Sequence, residues 1–124
     1  MNLFVGWIGV LAGIISGAAI GLFFHDDRWL GGYASFARRM LRLGHISFFG
    51  LGFVNIVFAL TVDRIGLAPA FERVASVAFL IGAIAMPACC LLAAWRKPLR
   101  HLFPVPVLAV AVGVVSVLVG WPRP

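Results

Sequence analysis

The sequence is poor in charge, and poorest in acid. Only 11% of its 124 residues are charged, and four of them are Asp or Glu. A soluble domain carries about 25% charged and about 45–50% apolar residues. Here 63% are apolar, more than one globular core can hide, so part of the solvent around this chain has to be lipid. The few carboxylates leave little for hydrolysis. Asp26 and Asp27 are adjacent, but no His–Ser or metal-ligand spacing surrounds them. Cysteine is nearly absent as well. Cys89 and Cys90 are neighbours in an apolar run, which makes neither a disulfide framework nor a zinc-type pair. There is no phosphate-binding Gly loop and no protease motif. No basic segment precedes the first apolar run, which is also too long for a signal peptide, so it is expected to be retained as the first helix.

What is present is length without charge. No Asp, Glu, Lys or Arg falls within residues 3–24, 43–62, 74–95 or 102–122. One membrane span needs about 20 apolar residues. The four runs fill nearly the whole chain and leave no room for a separate soluble domain. The expected fold class is all-α: an integral membrane, up-down four-helix bundle with short connectors. Its single membrane domain covers 1–124, with spans at about 3–24, 43–62, 74–95 and 104–121.

The net charge of +6 is confined to the connectors and the C-terminal tail. That placement suits anionic lipid headgroups and argues against nucleic acid as a partner. The first connector carries Arg28, Arg38, Arg39 and Arg42, and the third carries Arg96, Lys97 and Arg100. The second carries Arg64 and Arg73, and the tail Arg123. Connectors 1 and 3 lie on one side, so the basic bias places them in the cytoplasm, with both termini outside a bacterial inner (plasma) membrane. Trp7, Trp29, Trp95 and Trp121 fall near the expected span ends, as an interfacial aromatic belt requires. Tyr33 to Arg42 reads as a short amphipathic interfacial helix ahead of the second span. Its Arg38, Arg39 and Arg42 are expected at lipid headgroups. Asp26 and Asp27 follow the first helix, where its dipole disfavours them, so a salt-bridged cluster with these arginines or Arg100 is expected.

Glycine is concentrated where a span should be strongest. Gly9, Gly13, Gly17 and Gly21 recur every fourth residue and form one drifting row on a helix. Each interior Gly costs a helix in water roughly 1 kcal/mol against Ala. In lipid, a row of small residues instead lets another helix approach closely, in the manner of a glycine zipper.

Two stretches could carry chemistry. His45 stands just inside the second run, with Gly52 seven residues on and so on the same face, and with Phe48 and Phe49 beside it. A flat macrocycle needs a helix surface of this kind, so His45 is a candidate axial ligand for haem b. Met86 and His101 are candidate partners for it. The Arg42–Gly50 run resembles histidine-bearing spans of membrane haem proteins over those nine residues. Met86-Pro87-Ala88-Cys89-Cys90 places three sulfurs within reach of one side of a helix bent by proline. Thioether and thiolate donors suit Cu(I), so Met86, Cys89 and Cys90 are candidate metal ligands. His45 and Met86 differ in expected depth by roughly 10 Å, which argues against one small ion shared by both. Asn55, deep in the second run, is expected to bond to another helix.

Two classes of function follow. The first is a structural or accessory subunit that meets other membrane subunits, or itself, through the Gly row. The second is a haem- or metal-binding redox protein built on His45. Small-solute transport is a third reading and needs a polar cavity around Asn55.

Overall fold

The computed structural model describes residues 1–122. Among them are four long helices and no strand: α1 (Asn2–Gly21), α2 (Phe36–Ile65), α3 (Pro69–Trp95) and α4 (Pro104–Val119). Short 3-10 turns occupy Trp29–Gly31 and Lys97–Leu102. Helices α1, α2 and α3, and α4 with the 3-10 turn before it, are each long and apolar enough to cross a membrane. Arg123 of the charge balance lies outside the described residues.

The helix boundaries have local causes. Ser35 is extended, and its Oγ accepts the Arg38 N–H at 3.2 Å, capping α2 one residue before Phe36. The short amphipathic helix expected over Tyr33–Arg42, feeding into the second span, is continuous with it: residues 36–42 are the first two turns of α2. The 30 residues of α2 make a rod of about 45 Å, against a hydrocarbon core of about 30 Å. Its arginine-bearing end therefore has the length to reach headgroup level. Gly66 ends α2 in the left-handed conformation (φ 65°, ψ 53°), with its N–H bonded to the Val62 carbonyl at 3.2 Å. Pro69 opens α3, where its missing N–H costs nothing, and Glu72 sits in the first turn, where its carboxylate complements the helix dipole.

Consecutive helices run antiparallel, as the facing residues show. Gly6 meets Ile56 and Gly17 meets His45 across α1 and α2. Gly44 meets Cys90, and Phe58 meets Phe79, across α2 and α3. Gly82 meets Val110, and Gly120 meets Phe71, across α3 and the end of α4. The up-down bundle is open. Each helix packs on its neighbour in sequence, and α1 touches α3 lightly. Among the described residues, the backbone of α4 approaches neither α1 nor α2.

Burial is inverted relative to a protein in water. The main core cluster is small: Phe58, Leu67, Ala75 and Phe79, with Val54, Val110 and Val117 against it. Asn2, Arg38, Ser47, Asn55 and Ser116 are buried, while Phe4, Ile15, Ile84 and Leu118 are each more than half exposed. Soluble monomers rarely leave so continuous an apolar surface open. The side chains of Asn2, Ser47 and Asn55 are inside because that is where their hydrogen-bond partners are.

Candidate functional site

Along the seam between α1 and α2, glycine lets the two backbones meet. A Cβ added to Gly9 would lie 3.0 Å from the Phe48 carbonyl oxygen and 3.1 Å from Gly52 Cα. On Gly52 it would lie 2.9 Å from the Gly6 carbonyl oxygen, so here backbone rests on backbone. On Gly13 it would lie 2.6 Å from the Phe49 ring, and on Gly17 2.6 Å from His45 Cε1. Gly21 faces nothing within 4 Å. The face that meets α2 is thus Gly6, Gly9, Gly13 and Gly17. Gly6 escaped the four-residue pattern, although steps of three and four hold a helical face better than steps of four alone. This face meets the chain's own second helix.

His45 belongs to the same seam. Its Nδ1 lies 3.1 Å from Ser16 Oγ, which also stands 3.0 Å from the Gly13 carbonyl oxygen. Phe49 meets the imidazole edge to face at 5.4 Å. The surface between His45 and Gly52, smooth enough for a macrocycle, is occupied by α1: a Cβ on Gly52 would meet Val10 N at 3.2 Å. Cys90 is fully buried on a different side of α2, facing Gly44, and Cys89 is 6% exposed. Met86 is half-buried in α3, and His101 is exposed in the 3-10 turn with Lys97, Pro98 and Arg100. Among the described residues no three His, Cys, Asp or Glu side chains converge.

A polar knot ties three helices together. Asn2 Nδ2 donates to Asn55 Oδ1 at 2.8 Å and to the Ser76 carbonyl at 3.2 Å. Ser76 Oγ donates back to Asn2 Oδ1 at 2.5 Å. Asn55 Nδ2 donates to the carbonyls of Leu51 at 2.9 Å and Phe79 at 3.2 Å. Among the described residues no buried side-chain polar atom lacks a partner. Asn55 does bond across to other helices, and it is fully buried. Asn2, at the very start of α1, gave no signal in the sequence beyond being an amide beside an apolar run.

At the other end of α2 the expected ion-pair cluster is replaced by aromatic rings. The Asp26 carboxylate accepts the Arg28 backbone N–H at 2.9 Å, closing a local turn. Leu30 follows with a left-handed backbone (φ 53°), and Phe23 stacks on Trp29 at 5.0 Å. This turn carries Trp29 and Tyr33 over α2. Arg38 is 5% exposed, and its guanidinium carbon lies 5.9, 5.3 and 6.0 Å from the ring centres of Phe24, Trp29 and Tyr33. Arg42 lies 4.3 Å from the Tyr33 ring, and Arg39 is exposed. The three arginines therefore have three different surroundings. Lys97 Nζ lies 5.7 Å from the Phe36 ring, which brings the third connector beside the start of α2.

Apolar grooves also lie between helices. One of about 390 Å³ lies between α2 and α4 over Phe58 and Phe79. Another of about 270 Å³ lies between α1 and α3 over Gly52. No family model, curated protein or solved structure matches the chain.

Proposed function

We propose that this chain is a small multi-pass membrane protein with a structural or accessory role, assembled in the inner membrane with other subunits or with a second copy of itself. The observation that supports this reading is how its polar groups are used. The amides and hydroxyls of Asn2, Asn55 and Ser76 bond to one another and to nearby carbonyls, which leaves none directed at a substrate. The outer faces of α1 and α4 are apolar, and among the described residues no other helix covers them. Gly9, Gly13 and Gly17 are spent on the fold, so assembly falls to the outer face of α1, around Phe4, Leu11 and Ile15, or to the valine-rich face of α4. The basic bias supports connectors 1 and 3 in the cytoplasm and both termini outside.

The alternative, a haem or copper site on His45 with Met86, Cys89, Cys90 or His101, has weaker support. Its ligand candidates point into different parts of the fold, and α1 fills the surface beside His45. Transport has less still, because the Asn55 amide is enclosed by its partners.

One preparation tests these readings together. The protein is extracted with its native lipid in copolymer discs, sized on a native gel, analysed for co-purifying chains, and scanned in the visible. The accessory reading expects a colourless particle containing a second copy or another membrane chain. A Soret band lost in His45→Ala would replace it with the haem reading. A colourless particle holding a single copy and no partner would contradict assembly.

A further inference from the structure

Arg38 is the one charged residue buried among the described residues, at 5% exposed, and its guanidinium nitrogens, which make no hydrogen bond, still reach the surface. Buried cations are normally paired with a carboxylate, since losing water costs more than a weak attraction returns. Among the described residues no carboxylate or carbonyl takes a hydrogen bond from this guanidinium; the bond recorded at Arg38 is from its backbone N–H to Ser35. The rings of Phe24, Trp29 and Tyr33 offset part of the charge but offer no acceptor in the guanidinium plane. One helical turn on, Arg42 leans over the same Tyr33 ring, and its Nη2 donates to the Tyr33 carbonyl at 3.4 Å. Two like charges four residues apart repel each other. Here they share one ring with no anion between them.

The two arginines line a narrow cleft together with Ile20, Phe24, Trp29 and Tyr33. Its open space is about 10 Å³, so a ligand presents a single group at the mouth and does not enter whole. Trp and Tyr are the residues of the membrane–water boundary, and the basic turns of α2 reach headgroup level by length. An anionic oxygen group at that depth is a lipid phosphate. We propose that Arg38 and Arg42, framed by Trp29 and Tyr33, seat the phosphate of an anionic glycerophospholipid. The guanidinium fork suits two phosphate oxygens, and the absence of a paired acid favours a lipid with net negative charge over a zwitterionic one. The site needs only that the protein lie in a membrane; it does not depend on an accessory role.

The test uses the full chain in a neutral detergent, titrated with phosphatidylglycerol, phosphatidylcholine or inorganic phosphate. Bound lipid is counted by native mass spectrometry and thermal unfolding is followed in parallel. Phosphatidylglycerol is expected to bind at least tenfold tighter than phosphatidylcholine and to raise the unfolding temperature, with inorganic phosphate giving no equal rise. Arg42→Gln, at a half-buried position whose fold is checked by circular dichroism, is expected to remove most of that preference. Arg38→Lys is expected to weaken it while keeping a cation in place. Arg64→Gln, at the opposite end of α2, is expected to leave it unchanged. Equal binding of the two lipids, or equal loss in Arg42→Gln and Arg64→Gln, would overturn the proposal. So would inorganic phosphate matching phosphatidylglycerol, which would make the anion a free one.

Discussion

Gly50 and Gly52 sit two residues apart in α2 and offer a controlled test of the α1–α2 seam. Replacing either by Ala adds one methyl group and the same gain in helix propensity, roughly 0.5–1 kcal/mol. Their surroundings differ completely. A Cβ on Gly50 meets nothing within 4 Å. A Cβ on Gly52 falls 2.9 Å from the Gly6 carbonyl oxygen and 3.2 Å from Val10 N. Both neighbours are backbone, so no side chain can rotate away and α1 itself must move. Overpacking of this kind costs about 1–3 kcal/mol. Moving α1 also strains the Asn2–Asn55 bond farther along the seam. Gly50→Ala is therefore expected to be neutral or stabilising, and Gly52→Ala to be less stable than Gly50→Ala by about 1–3 kcal/mol. Reversible unfolding in mixed micelles, read by circular dichroism, measures the difference. A smaller contrast is expected on α1, where Gly17→Ala meets the His45 ring, a side chain that can yield, and Gly21→Ala meets open space. Equal stability of the Gly50 and Gly52 variants would refute the close seam.

Other outcomes follow from single observations. Asn55→Val removes the amide at the centre of the knot and is expected to cost about 1–2 kcal/mol, since interhelical hydrogen bonds in membranes average about 0.6 and reach about 1.7 kcal/mol. Its effect and that of Asn2→Ala should be less than additive in a double-mutant cycle, because the two share a bond. Leu30→Gly should stabilise the fold by about 1 kcal/mol, because a left-handed backbone costs a non-glycine residue about 1–2 kcal/mol, part of which is offset by the lost apolar side chain. Cys90, fully buried against Gly44, should react with a maleimide in the folded micellar protein far more slowly than after denaturation, as intact mass will show.

The parts of this fold legible in the sequence are those set by short-range rules. Charge-free runs of span length locate the helices, and Pro69 marks the start of α3. What needed the structure was which surface met which. The spacing of Gly9, Gly13 and Gly17 signalled a close contact, but spacing carries no identity for the partner, and the partner is α2 of the same chain. Gly6 was missed because a strict period of four was imposed on a helix with 3.6 residues per turn. Ser35 caps α2, so the amphipathic stretch read from Tyr33 to Arg42 supplies the first two turns of the span rather than a short helix of its own. The expected ion pairs failed because charge counting sees Asp26 near Arg38 in sequence but not the ring wall of Trp29 and Tyr33 that the Asp26 turn builds. On the His45–Gly52 face lies α1.

Sidedness of the connectors is the most direct measure of whether these helices cross a bilayer in alternation. With Cys89→Ala and Cys90→Ala as background, single cysteines are placed by Arg39→Cys, Arg64→Cys and Arg100→Cys, and intact cells are treated with a membrane-impermeant maleimide. Arg64→Cys is expected to label from outside, and Arg39→Cys and Arg100→Cys only after lysis. Labelling of Arg39→Cys and Arg64→Cys from the same side would contradict a membrane-crossing α2 and the bundle built around it.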